Sequence, residues 1–265
     1  MEFKDQLNRN IKLNTTPTRI VSLVPSQTEL LFQLGLEDEV KGITKFCIHP
    51  IEWQLSKTIV GGTKNINIEK IRSLSPDLII ANKEENDREQ IDLLSKEYPI
   101  WISDIHDLQD SLEMIEALGN VTGKQKPAQE ICHLINNNFE RLQKYQSDKS
   151  QTVIYLIWRN PFLSVGRDTF IHDMLCKCGF TNLAGDELRY PEISKDKLKS
   201  LDPDIIFLSS EPYPFSLKHV PEISSLCPKA DIHIVDGEMF SWYGSHLIKA
   251  PEYFHSIIQE VNSAS

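Results

Sequence analysis

Ser73-Leu-Ser-Pro-Asp-Leu-Ile-Ile80 and Ser200-Leu-Asp-Pro-Asp-Ile-Ile-Phe207 are two copies of one phrase, set 127 residues apart. The match continues upstream at the same offset, where Glu69-Lys-Ile-Arg72 aligns with Asp196-Lys-Leu-Lys199. Each copy reads as the end of a helix, a Pro-Asp turn and a short apolar run suited to a buried parallel strand. The same order in both halves implies two like lobes, with a ligand cleft expected where they meet.

Outward from this phrase, strands and helices alternate. Arg19-Ile-Val-Ser-Leu-Val24, Val40–Phe46, Asp77–Ala81 and Ile100–Ser103 read as strands of the first half. Thr152–Trp158, Asp204–Leu208 and Ile232–Val235 read as strands of the second, and Ala250–Val261 as a closing helix. The fold class is α/β, with two similar lobes built on parallel central sheets flanked by helices. After Pro25, Ser26-Gln-Thr-Glu29 predicts a capping box opening a helix, and Gly35 a C-cap closing it.

The expected organisation is an N-terminal lobe over 1–122, a bridging helix over 123–148 and a C-terminal lobe over 149–265. Pro127 suits a first helical position, and Ala128, Ile131, Ile135, Phe139, Leu142 and Tyr145 recur at helical spacing. A surface helix is one reading. A rigid strut joining the lobes is the other, since the helix stands at the repeat boundary where no Gly/Ser linker replaces it.

The 265 residues carry a net charge of −10, which argues against nucleic acid or anionic membrane as the main partner. No run of about 18 apolar residues predicts a transmembrane helix. Met1–Asn10 is polar and lacks an apolar signal core, so the chain as it stands reads as cytoplasmic. Five scattered cysteines predict no disulfide framework. Cys176 and Cys178 read as packing residues.

No Gly-x-Ser-x-Gly elbow, Walker loop or dinucleotide fingerprint occurs, and no set of nucleophile, base and orienting acid assembles. The chain therefore reads as a binder, not an enzyme. Glu69 and Asp196 each follow a capping residue, Asn67 and Ser194, by two positions. Such acids complement a helix dipole for about 0.3–1 kcal/mol, or they form a matched pair for a partner's basic sockets. Phe46, Trp158, Phe162, Tyr190, Phe215, Phe240, Trp242 and Tyr243 fall at loop positions, several after strand ends, where open α/β sheets bind ligands. Together they predict a flat or apolar ligand. His49, in Lys45-Phe-Cys-Ile-His-Pro50, is the best candidate metal ligand among eight histidines.

The order of these marks resembles the cobalamin-type, helical-backbone (class III) solute-binding proteins of ABC importers. They are Val21-Ser-Leu-Val24 running through Pro25 to Glu29, Lys45–Pro50, Val60-Gly-Gly-Thr-Lys-Asn65, the two Pro-Asp strands, Arg189-Tyr-Pro191 and Trp242-Tyr-Gly-Ser245. The resemblance implies two α/β lobes bridged by one long helix, residence outside the cytoplasm, an ABC permease as partner and a monomer. It implies a corrinoid or related metal chelate as ligand, with no intrinsic cofactor. It places ligand contacts near Phe46, Thr63, Trp158, Phe162, Tyr190 and Phe240, to which Trp242 is added as a cleft aromatic, and permease-docking acids at Glu69 and Asp196. Thr63-Lys64 stands where the cobalamin binder carries a tryptophan. The alternatives are a haem or ferric-siderophore binder, with Tyr190 or His49 approaching the metal, and a cytoplasmic corrinoid- or metal-handling enzyme. A bare interaction module is a further one.

Overall fold

A computed structural model of the chain describes residues 1–146 and 150–264. These form two compact units. One holds Met1–Ile105, Gln109–Ile135 and Trp242–His246; the other holds the described part of His106–Leu108, Asn136–Ser241 and Leu247–Ser265.

The first unit has a five-stranded sheet in the order Thr58–Ile59, Val40–Ile43, Ile20–Ser22, Leu78–Asn82 and Ile100–Ser103. Every pairing is parallel. The inner strands are buried along their whole length, which is why Ile20-Val-Ser and Leu78-Ile-Ile-Ala lack polar alternation. Val21, Leu23, Ile71, Ile79, Ala81 and Leu94 form much of one core cluster. A two-stranded antiparallel hairpin pairs Glu2–Lys4 with Asn10–Lys12.

The second unit has a four-stranded parallel sheet in the order Asp231–Val235, Ile205–Ser209, Thr152–Leu156 and Thr181–Asn182. Ile154, Leu156, Leu198, Ile206, Leu208 and Ile223 belong to its core cluster.

The repeated phrase is a repeated structure. Helix Ile68–Leu74 and strand Leu78–Asn82 of the first unit correspond, at an offset of 127, to helix Lys195–Leu201 and strand Ile205–Ser209 of the second. Asn67 and Ser194 cap the two helices, accepting from Lys70 N and Lys197 N. Ser75 and Asp202 end them in the left-handed region, at φ 44° and 41°. The aspartate of each Pro-Asp turn then ties its strand to the neighbouring one. Asp77 Oδ2 accepts the Thr18 N–H at 2.8 Å, and Asp204 Oδ2 accepts the Thr152 N–H at 2.8 Å.

The helix after Pro25 begins differently from the expectation. It spans Pro25–Gln33 with Val24 at the N-cap and no side-chain cap. Pro25 takes the first helical position, where its missing N–H costs nothing. Ser26 and Glu29 thus lie two residues too deep for a capping box, and both are buried. Gly35 does follow the helix with φ 73°.

Two helices, Leu108–Thr122 and Gln125–Gln143, follow one another, with Gly123 at φ 73° between them. The latter starts among residues of the first unit and finishes among those of the second. Ala128, Ile131, Ile135, Phe139 and Leu142 are buried, as a helical stripe requires. Tyr145 lies past the helix end, half exposed and stacked on His255 at 3.8 Å between ring centroids. Residues 147–148 of the expected helix lie outside the described residues. Among the described residues no helix is long and apolar enough to cross a membrane.

Candidate functional site

In the first unit, the chain leaves strand Val40–Ile43 at its carboxyl end and turns through Thr44–Pro50. Phe46 is 50 % exposed in this loop. Lys45 N–H donates to Gly61 O at 2.8 Å, joining the loop to the Gly61-Gly-Thr-Lys64 turn. A Cβ on Gly62 would meet the Phe46 ring at 3.2 Å and Lys45 Cε at 3.5 Å, so the glycine lets both side chains lie across the backbone. The Lys45 ammonium sits 5.0 Å from the Phe46 ring centroid. Thr63 is half-buried in the same turn, and its carbonyl accepts from Asn86 Nδ2 at 3.1 Å.

His49 is half-buried and packs edge-on against Trp242, with ring centroids 5.3 Å apart. Trp242 opens the five-residue segment Trp242–His246, which belongs to the first unit although its flanking residues belong to the second. Three contacts seat that segment. Gly244 N–H donates to Ser111 Oγ at 3.1 Å. Tyr243 Oη donates to Glu85 Oε1 at 2.7 Å. His246 Nδ1 lies 2.8 Å from Glu29 Oε2. Burial, with the adjacent Glu85 charge, pushes the Tyr243 phenol well up, so it stays a neutral donor. Trp242 itself is only 8 % exposed, a packed ring more than an open platform. Among the described residues no group of three or more His, Cys, Asp or Glu is arranged to hold a metal ion.

In the second unit, Trp158 follows strand Thr152–Leu156 and is 40 % exposed. It packs on Tyr213 at 5.6 Å. Tyr190, also 40 % exposed, is displayed on a loop clipped along its length. Ser164 N–H donates to Pro191 O at 3.0 Å, Gly166 N–H to Arg189 O at 2.7 Å and Arg167 N–H to Glu187 O at 3.0 Å. Gly166 is required there, because a Cβ would lie 2.5 Å from Glu187 O.

Two expected ligand contacts are core residues instead. Phe240 is fully buried, and its ring packs on Tyr155 at 5.2 Å and Phe254 at 4.6 Å. Phe162 is 4 % exposed and belongs to the core cluster of its unit. Helix Gly237–Ser241 turns Phe240 inward, and the Trp158–Leu163 turn does the same to Phe162. Neither ring presents a surface to a ligand. Phe215 and Tyr243 are likewise buried. Cys178 is a packing residue as expected, but Cys176 is exposed, its Sγ 3.6 Å from His172 Nε2.

Glu69 and Asp196 are both exposed in the first turns of their repeat-related helices. Glu69 lies at the edge of a shallow depression of about 500 Å³ that Gly61 and Ile66 also line. Arg72 reaches it at 2.5 Å and also engages Glu97.

The family of periplasmic binding proteins matches residues 20–224. An uncharacterised ABC transporter substrate-binding lipoprotein of Bacillus subtilis is 29 % identical over 212 residues, 76 % of this chain and 67 % of the relative. A vitamin B12-binding protein of Vibrio cholerae is 29 % identical over 194 residues, 72 % of this chain and 70 % of the relative. Among solved structures, the periplasmic vitamin B12-binding protein of Vibrio cholerae superposes with a TM-score of 0.79 at 23 % identity, covering 93 % of this chain and 98 % of that one. A periplasmic haem-binding protein of Roseiflexus sp. RS-1 in apo form gives 0.80 at 18 % identity, with coverage of 93 % and 98 %. These likenesses establish the fold, and the named relatives are binding proteins rather than enzymes. With most of its length matched, the chain belongs to the family of periplasmic binding proteins.

Proposed function

We propose that this chain is the extracytoplasmic solute-binding component of an ABC importer and that its ligand is a corrinoid (cobalamin-like) or related metal chelate. The observation that carries the reading is the display of Phe46, Trp158 and Tyr190, each 40–50 % exposed, on loops of the two α/β units. Exposed aromatic faces on braced loops suit a large, flat, partly apolar ligand. The vitamin B12-binding relatives make a corrinoid the leading candidate. Haem is the alternative, supported by the haem-binding protein of like fold. Thr63, His49 and Trp242 stand near the first-unit face in supporting positions.

Glu69 and Asp196 are the proposed docking acids for the permease. Their identical helical setting and their exposure support the role, since each offers a carboxylate at a fixed place in its own unit.

A thermal-shift panel of corrinoids, haem and ferric siderophores tests the reading. A true ligand at about 100 times its dissociation constant stabilises the protein by roughly 2.7 kcal/mol, a clear rise in melting temperature. A panel without any shift would remove the reading and leave a bare interaction module.

A further inference from the structure

Trp158, the exposed indole of the second unit, stands at the end of a braced series of contacts. Its ring meets that of Tyr213 at 67°, with centroids 5.6 Å apart. Among the described residues Tyr213 is the one aromatic ring packed against it. Taking the binding role proposed above as its basis, we infer that Tyr213 and His219 are positioning residues, which hold the Trp158 indole in one orientation before a ligand arrives.

Tyr213 is tied at both ends. Its backbone N–H donates at 3.3 Å to Ile157 O, the carbonyl next to Trp158 in the chain. Its hydroxyl lies 3.3 Å from His219 Nε2. The Ser216 N–H donates to His219 Nδ1 at 3.0 Å, which makes that nitrogen the acceptor and leaves the ring proton on Nε2. The imidazole N–H therefore donates to the Tyr213 hydroxyl. His219 is buried and closes the short turn Leu217–His219, from which helix Val220–Leu226 continues. The Phe215 ring packs on both, its centroid 4.8 Å from that of Tyr213 and 5.5 Å from that of His219. The Trp158 backbone is pinned as well. Leu163 N–H donates to Trp158 O at 3.2 Å, and Ile157 N–H donates to Leu163 O at 2.9 Å.

This arrangement meets a physical need. A large exposed side chain has rotamers to lose when a ligand stacks on it, and that loss subtracts from affinity. A ring already held by its neighbours loses little. Tyr213 is half-buried and packs on the core cluster of its unit as well as on the indole. It thus carries the rigidity of the core outward to an exposed ring.

The test reads the indole first without ligand and then with it. The other three tryptophans are buried, so acrylamide quenching of the ligand-free protein reports on Trp158. Tyr213→Leu should increase that quenching. It should also weaken binding of whichever of cyanocobalamin and haemin the wild type accepts, by about threefold to tenfold, the scale of one side chain that must be ordered on binding. In a Trp158→Ala background the same substitution should change affinity by less than about twofold, because a positioning residue acts only through the ring it holds. Tyr213→Phe keeps the packing and cuts the contact with His219. It should give smaller changes of the same sign, and it carries the test if Tyr213→Leu does not fold. Unchanged quenching, equal losses with and without Trp158, or wild-type affinity in Trp158→Ala would overturn the inference while leaving the binding role intact. Failure of both probes to bind a folded wild type would overturn the functional reading. The ligand-free quenching would then decide the positioning by itself: an increase supports it and no change overturns it.

Discussion

His246 Nδ1 lies 2.8 Å from Glu29 Oε2 across 217 residues of sequence, and both side chains are buried, 5 % and 7 % exposed. The carboxylate fixes the ring and seats the segment Trp242–His246 in the first unit. His246→Ala should take the imidazole contact from a buried carboxylate and cost about 3 kcal/mol in chemical denaturation. Glu29→Gln, which keeps an acceptor for the imidazole N–H, should cost distinctly less. Equal losses in the two variants would show that packing, not the paired charge, sets the stability of the segment.

Tyr190 and Phe240 separate a surface role from a core role. Tyr190→Ala should leave the fold intact and weaken ligand binding by about 1 kcal/mol or more. Phe240→Ala should instead destabilise the second unit by about 3–5 kcal/mol, because it empties a ring-sized volume between Tyr155 and Phe254. Urea titrations and binding isotherms of both variants check the pair together.

Charge reversal of Glu69 or Asp196 should leave ligand affinity nearly unchanged and lower stability by no more than about 1 kcal/mol, the dipole contribution. Uptake in cells with the partner permease should fall sharply, since a repulsive rim charge slows association. Normal uptake by both reversals would mark the two acids as ordinary first-turn helix residues.

Glu222 should give the second unit a measurable acid sensitivity. Hydrogen bonds from Lys195 first, then from Arg159, hold its carboxyl below the ordinary value of 4.5. Its folded pKa lies below its unfolded one, so its stabilisation is present above about pH 4.5 and fades as pH falls through the folded value. The stability gap between wild type and Glu222→Gln should therefore be widest near pH 7 and close at strongly acid pH. A gap independent of pH would place the effect in shape rather than charge.

The repeat is legible in the sequence, although its two strands, read as Asp77–Ala81 and Asp204–Leu208, run one residue later, over Leu78–Asn82 and Ile205–Ser209. Local rules act within about fifteen residues there: a cap, an apolar stripe, a left-handed helix end, a Pro-Asp turn and a strand. The strand Ile100–Ser103 is legible for the same reason, as an apolar run bounded by turn residues, and the run Thr152–Trp158 is a strand over Thr152–Leu156. The capping box after Pro25 was misread because two local signals competed, and a proline at the first helical position outranked a serine one residue later. Phe162 and Phe240 were misplaced because a loop aromatic looks alike whether its chain turns it inward or outward. The Glu29–His246 pair had no sequence signal at all, since the two residues stand 217 positions apart and meet only through tertiary structure.

The central claim is that this chain binds a corrinoid or related metal chelate as the receptor of an importer. Titration of the purified protein with cyanocobalamin and with haemin, followed by quenching of tryptophan fluorescence, tests it most directly, because Trp158 is 40 % exposed beside the proposed ligand face. The account predicts saturable quenching by one of the two, at one ligand per chain and with a dissociation constant of about 1 μM or tighter, near −8 kcal/mol. Linear, unsaturated quenching by both up to roughly 1 mM, near −4 kcal/mol, would contradict it.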